Sequence, residues 1–182
     1  MFQKFPKYLN NIYLLGFSGV GKTTISKILS KKIKKKFYDI DNEIEKYINM
    51  KISKFIFKKG EKIFRILENK ILKKIIIKKN IILSTGGGTL ILNYNRNLLR
   101  NTGLNIYLEL NFINNISRLN NNIINRPLIK NIFSNFSKLY ILYKKRINIY
   151  KKIYHIKINI NYLNKNDILN YILFIFKIYF NL

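Results

Sequence analysis

The chain has 182 residues, a length that suits one domain able to bury roughly 70% of the surface its unfolded form exposes. Apolar residues make up 48% of it, enough for a core, and the absence of cysteine excludes disulfides and thiolate metal sites and fits a reducing compartment. With 35 Lys plus Arg against 8 Asp plus Glu, the formal net charge is +27, which demands either a polyanionic partner or another cause. Ile, Lys, Asn, Phe and Tyr dominate, all read from AT-rich codons, and the bias reaches neutral and apolar positions where selection for charge has no purpose. Coding bias accounts for the charge better than a dedicated nucleic-acid role. Weak, salt-sensitive binding to polyanions is expected either way.

In chain order, the first apolar run, "NIYLLGF", is short and is followed by no small-residue cleavage site, so 11–16 reads as a strand rather than a signal peptide. A helix is predicted over 22–35, and the "SKKIKKK" cluster at 30–36 reads as a solvated face. A strand over 37–40 and helices over 41–49 and 61–79 follow; in the last, Ile63, Leu67, Ile71 and Ile75 keep helical spacing. Strands over 81–85, 105–110 and 155–160 then alternate with helices over 93–101, 112–120, 134–152 and 167–180. The final helix contains "YILFIFKIYF", is broken by Lys177 and falls short of the ~20 apolar residues of a membrane span. Five short strands separated by helices predict an α/β three-layer sandwich, a five-stranded parallel sheet with helices on both faces, in a single domain over 1–182. A monomeric, cytoplasmic protein with no membrane partner is expected. Ligands in such sheets collect at the C-terminal ends of the strands, where the motifs below fall.

"GFSGVGKT", residues 16–23, fits G-x-x-x-x-G-K-[ST] between a predicted strand and a predicted helix. Gly16, Gly19 and Gly21 let the backbone wrap a phosphate chain, with Ser18, Val20 and Thr24 completing the cradle. The helix that follows presents its positive N-terminus. Lys22 reaches the outer phosphates and the Thr23 hydroxyl ligates Mg²⁺. A nucleoside triphosphate is the implied ligand, and ATP is expected rather than GTP.

"FYDID", residues 37–41, places Asp39 and Asp41 one residue apart in a chain poor in acids. In an extended segment both carboxylates face one way, toward the cradle's Mg²⁺ and phosphates. One can hold a metal-bound water and the other can accept a hydrogen bond from a substrate hydroxyl. Asp41 can instead cap the following helix, a reading that applies only weakly to Asp39. "EKIFRILE" sets Arg65 and Glu68 at i,i+3, a geometry in which Glu68 orients Arg65 as a fork for a substrate carboxylate. "STGGGTL" ends the third strand with Gly86, Gly87 and Gly88, a costly run unless backbone must approach a ligand closely.

Taken together, these motifs resemble the shikimate kinase family. The resemblance rests on the cradle at 16–23, "DID" with "EIE" at 39–45, "FR" with Glu68, "GGG" at 86–88, "RP" at 126–127 and R-x-x-x-Y at 146–150, and it runs over nearly the whole chain. It implies an adenylate-kinase-like P-loop fold and phosphoryl transfer from ATP to the 3-hydroxyl of shikimate. It further implies that Asp41 binds the shikimate hydroxyls and accepts the proton, with Asp39 helping to hold Mg²⁺. Arg65 and Arg146 would grip the carboxylate, and Gly86, Gly87 and Gly88 would line the same pocket. Arg126, on a mobile lid from about 112 to 128, would close over the phosphates, and Arg118 would stack on adenine. The substrate-binding segment would run over about 40–68.

The loop "NYLNKND" departs from the family's Arg/Pro-rich adenine-side loop. Arg96 and Arg100 match no motif and are expected to face solvent, and His155 is read as a strand residue rather than a catalyst. The competing readings are another small P-loop kinase, for gluconate or a nucleoside monophosphate, and a basic nucleic-acid-binding ATPase.

Overall fold

The computed structural model describes residues 11–120 and 135–180. In order these form β1 (Asn11–Leu15), α1 (Lys22–Lys32), β2 (Lys36–Asp39), α2 (Ile40–Ile48), α3 (Ile52–Ile76), β3 (Ile81–Ser84), a 3-10 turn (Thr89–Ile91), α4 (Asn93–Thr102), β4 (Leu104–Glu109), α5 (Phe112–Asn120), α6 (Phe136–Tyr150), β5 (Ile156–Asn159) and α7 (Lys165–Phe180). The five strands pair in the order β2-β3-β1-β4-β5, and every pair is parallel. Strand β1 is flanked by β3 and β4, and its "NIYLL" is buried at all five positions. That continuous apolar run is what a strand covered on both faces requires. Because the chain leaves β1 for β2 at one edge and returns past β1 to β4, the crevice beyond the end of β1 is where such sheets bind ligands.

Two helix starts that bear on the site differ from the sequence expectation. Helix α3 starts at Ile52 rather than 61, and Gly60 interrupts it with φ 82° and ψ 161°. A lone glycine inside a lysine-rich stretch hid the first half of the helix. Helix α2 starts at Ile40, and its cap is Asp39, not Asp41: the Asp39 carboxylate accepts from the Asp41 amide at 3.1 Å and the Asn42 amide at 3.3 Å. Among the described residues, no helix is long and apolar enough to cross a membrane. The lysines at 31, 32, 34 and 36 are exposed, as a solvated face should be.

Candidate active site

The cradle forms as the sequence requires. Gly16, Gly19 and Gly21 adopt positive φ (149°, 90° and 95°), conformations that disfavour any side chain. A Cβ at Gly16 would stand 2.8 Å from the Leu108 carbonyl, so strand β4 also demands glycine there. Lys22 is buried and donates to the carbonyls of Gly16 and Phe17 at 2.8 and 2.9 Å. Helix α5 braces the cradle from outside, where the buried Asn115 donates to the Ser18 carbonyl at 3.0 Å.

Next to the cradle, the Thr23 hydroxyl donates to Asp39 Oδ2 at 2.7 Å and lies 3.2 Å from Ser84 Oγ. Asp39 therefore both caps α2 and reaches α1. Among the described residues no cluster of three or more His, Cys, Asp or Glu could hold a metal. A hydroxyl with one carboxylate is nonetheless a donor set that suits Mg²⁺, which binds through one or two protein oxygens together with phosphates and water.

Asp41 stands in the first turn of α2, so its orientation does not come from the strand alternation expected for it. It nevertheless reaches the same crevice: a Cβ built on Gly86 would lie 2.9 Å from its Oδ1. Its pKa is pushed up to about 7, by burial first and then by the like charges of Asp39 and Glu68, against the opposing pull of Lys22 and Arg65. By surface area Asp41 is exposed, although protein surrounds it on most sides. Water in the open crevice discounts the burial contribution, and the neighbouring carboxylates are the firmer cause.

The glycine triplet is the hub of the site. A Cβ on Gly87 would lie 2.6 Å from Ser18 Oγ, and one on Gly88 would lie 2.7 Å from Arg65 Cζ. Three adjacent glycines thus touch three different parts of the site: the carboxylate of α2, the cradle, and the guanidinium of α3. Arg65 is buried and held by two acids. Its Nη1 donates to Glu68 Oε2 at 2.7 Å, while Nε and Nη2 donate to Glu61 Oε1 at 3.1 and 2.8 Å. Burial works against its charge, but Glu68 and Glu61 outweigh burial and raise its pKa. From α6, Arg146 and Tyr150 both donate to the Gly87 carbonyl, at 2.8 and 2.7 Å. The Arg146 pKa is lowered, by burial foremost and also by Arg65, so two guanidinium groups act on each other across the pocket. A carboxylate between them would relieve that repulsion.

Other residues expected to contact the nucleotide line a separate hollow of about 750 Å³. Gly19, Val20, Gly21 and Thr24 line it together with Arg118 of α5, Leu163 and Asn164 after β5, and Lys165 and Asn166 in the first turn of α7. Residues 164–167 spell N-K-N-D, the spacing of a guanine-reading stretch, and the expectation of ATP has to meet it. The structure gives those residues another occupation. Asn164 Oδ1 accepts the amides of Asn166 and Asp167 at 2.8 and 3.1 Å, and Asp167 Oδ2 accepts the Asn164 amide at 3.0 Å. This reciprocal pair caps α7.

Arg126 and Pro127, and with them the C-terminal part of the expected lid, lie outside the described residues; the part within them is helix α5. Arg96 is not simply a solvent-facing residue. It is half-buried and donates to the carbonyls of Leu90 and Ile91 at 2.8 and 2.9 Å. His155 accepts the Asn105 amide on Nδ1 at 2.9 Å, and its pKa is lowered by burial and then by Arg100. It ties the start of β5 to β4, away from the glycine triplet. Sequence reasoning gave no site role to Glu61, Thr89 or Asn95. Only Glu61, four residues before Arg65 on one helix, carried a signal that could have revealed it.

Comparisons with known proteins point to one family. The profile of the family described as "Shikimate kinase" matches residues 18–176. A shikimate kinase of Sulfurihydrogenibium sp. is 37% identical over 165 residues, covering 91% of this chain and 96% of the relative. One from Macrococcus caseolyticus is 42% identical over 146 residues, covering 80% and 84%. Among solved structures, shikimate kinase from Acinetobacter baumannii in complex with shikimate superposes with a TM-score of 0.88 at 32% identity, covering 96% of this chain and 97% of that one. On the cradle, the paired acids, the glycine triplet and these likenesses together, the chain belongs to the shikimate kinase family.

Proposed function

We propose that this protein transfers the terminal phosphoryl group of ATP to the 3-hydroxyl of shikimate, giving shikimate 3-phosphate and ADP. The observation that carries the reading is that Asp41, Ser18 of the cradle and Arg65 each border one glycine of the triplet Gly86–Gly88, so the groups read as hydroxyl acceptor, phosphate site and acid-binding fork line one stretch of backbone. Phosphoryl transfer asks mainly for positioning and charge neutralisation, and each of these groups supplies one or the other.

Arg65 and Arg146 hold the substrate carboxylate between them, where its charge adds to that of Glu61 and Glu68 in offsetting their mutual repulsion. Asp41 accepts a hydrogen bond from the reacting hydroxyl and takes its proton as the bond to phosphorus forms. A carboxylate pKa near 7 makes Asp41 a stronger base than an ordinary aspartate while leaving a large part of it ionised at neutral pH. Lys22, released from the Gly16 and Phe17 carbonyls, neutralises charge on the outer phosphates, and Arg126 does the same from the lid over about 112–128. Thr23 and Asp39 would hold Mg²⁺, which would neutralise charge on the phosphates. Arg118 packs against the base in the hollow beside Gly19–Thr24. The protein is read as a monomer acting on a small-molecule substrate in the cytoplasm.

A coupled assay of ADP release tests the reading with shikimate, gluconate, a nucleoside monophosphate, single-stranded RNA or no acceptor. Shikimate alone should stimulate release. Stimulation by RNA with no response to shikimate would replace the proposal with a nucleic-acid-dependent ATPase.

A further inference from the structure

Behind the acid-binding fork lies a closed circuit of buried polar groups. Thr89 and Asn95 are both 0% exposed, and Glu68 is 1% exposed. The Thr89 hydroxyl donates to Glu68 Oε1 at 2.7 Å, leaving Oε2 to receive Arg65. Asn95, in the first turn of α4, donates through Nδ2 to the Thr89 carbonyl at 2.7 Å and accepts from Asn69 Nδ2 at 2.6 Å. Asn69 is the residue after Glu68 on α3, so the circuit runs from α3 through the 3-10 turn and α4 back to α3.

Chemistry fixes the orientation of that buried amide. A carbonyl offers only lone pairs, so the group facing Thr89 must be the Asn95 NH₂. The opposite face is then an acceptor, and Asn69 supplies the donor it needs. The Thr89 amide in turn donates to the Gly86 carbonyl at 3.2 Å, and the Ile91 amide to the Gly88 carbonyl at 3.0 Å. With Arg96 holding Leu90 and Ile91, the start of α4 grips three successive carbonyls, just past the triplet.

We propose that Asn95 is a positioning residue for acid binding, fixing through Thr89 and Glu68 where the Arg65 guanidinium stands against the glycine triplet. The proposal rests on the shikimate kinase reading above and names the residues that set its acid specificity. A guanidinium grips a carboxylate well only when its planar fork is held in place. Glu61 makes two contacts to Arg65 but is exposed, so water competes for them, whereas Glu68 is buried and locked by Thr89, and Thr89 by Asn95. Asn95 touches no substrate and acts on none of the cradle's contacts.

Steady-state kinetics of four variants test this. Asn95→Asp sets a carboxylate oxygen against the Thr89 carbonyl, and Thr89→Val removes the hydroxyl that holds Glu68. Each should raise the KM for shikimate about tenfold, the scale of one lost buried hydrogen bond, while the KM for ATP moves less than about twofold. Asn69→Ala, at a half-buried position, should give a smaller rise, and Thr89→Ser, which keeps the hydroxyl, should stay near the parent. If Asn95→Asp does not fold, the Thr89 pair and Asn69→Ala decide. An unchanged shikimate KM in Thr89→Val, equal rises in both KM values, or a Thr89→Ser that behaves like Thr89→Val would overturn the proposal. A parent protein that shows no shikimate-dependent ADP release would instead sink the functional reading, and this inference with it.

Discussion

The glycine triplet allows the three functions of the site to be disturbed one at a time. None of Gly86, Gly87 and Gly88 has positive φ, and Gly88 sits at φ −107°, so alanine is compatible with the backbone and only space forbids it. In Gly88→Ala the new methyl would lie 2.7 Å from Arg65 Cζ and Nη1, about 1 Å inside ordinary contact. The guanidinium cannot swing away freely, because Glu61 and Glu68 hold three of its N–H groups. Overpacking of this kind costs about 1–3 kcal/mol. If that cost falls on the bound acid, the shikimate KM rises roughly 5- to 150-fold at ~1.4 kcal/mol per factor of ten. Gly87→Ala is the internal control. Its methyl would meet Ser18 Oγ at 2.6 Å and the Ser18 amide nitrogen at 3.2 Å, so it should weaken ATP instead. The assay is the pair of KM values, with binding of each ligand alone by calorimetry. If Gly88→Ala weakened ATP and spared shikimate, or if the two variants were indistinguishable, the assignment of the triplet's contacts would be wrong.

Further outcomes follow from the same contacts. Asp41→Asn should leave ATP binding nearly intact and lower kcat at least a hundredfold, the usual scale for loss of a general base; an unchanged kcat removes Asp41 from the mechanism. Because Asp41 must be ionised to take a proton, kcat/KM should climb with pH up to about 7 and level off above it, and a profile flat from pH 5 to 8 would contradict the raised pKa. The same shift acts on stability with the opposite benefit. A carboxyl with a folded pKa raised from 3.8 holds its proton more firmly when folded than unfolded, so its contribution to stability declines as pH rises from about 4 through 7. Asp41→Asn should therefore melt higher than the parent at pH 8, and a lower melting temperature would argue against that shift. Arg65→Lys loses the planar fork and should raise the shikimate KM with little effect on ATP. ATP should serve as donor far better than GTP, since Asn164 and Asp167 are engaged in capping α7; equal use of GTP would mean that 164–167 reads guanine.

Strand β1 and the cradle were legible because a continuous apolar run met a glycine pattern with only one structural use. Arg65 with Glu68 was legible because arginine is scarce among so many lysines, and helical spacing brings the pair together. The two aspartates illustrate where legibility ends. Either can cap a helix, and the choice turns on whether the helix begins at Ile40 or two residues later at Asn42, which no local signal decides. The triplet implies backbone making room for a ligand, and the structure adds that the protein's own Asp41, Ser18 and Arg65 stand in the space that side chains would need. Asn95 was invisible for a compositional reason: in a chain crowded with asparagine, nothing in the sequence marks which ones are buried.

Identification of the product tests the central claim most directly. Phosphorus NMR of a reaction with ATP, Mg²⁺ and shikimate should show one new phosphomonoester, coupled to the proton on C3 of shikimate and growing in step with ADP. Inorganic phosphate as the sole new signal, or an ester on a different hydroxyl, would contradict the account.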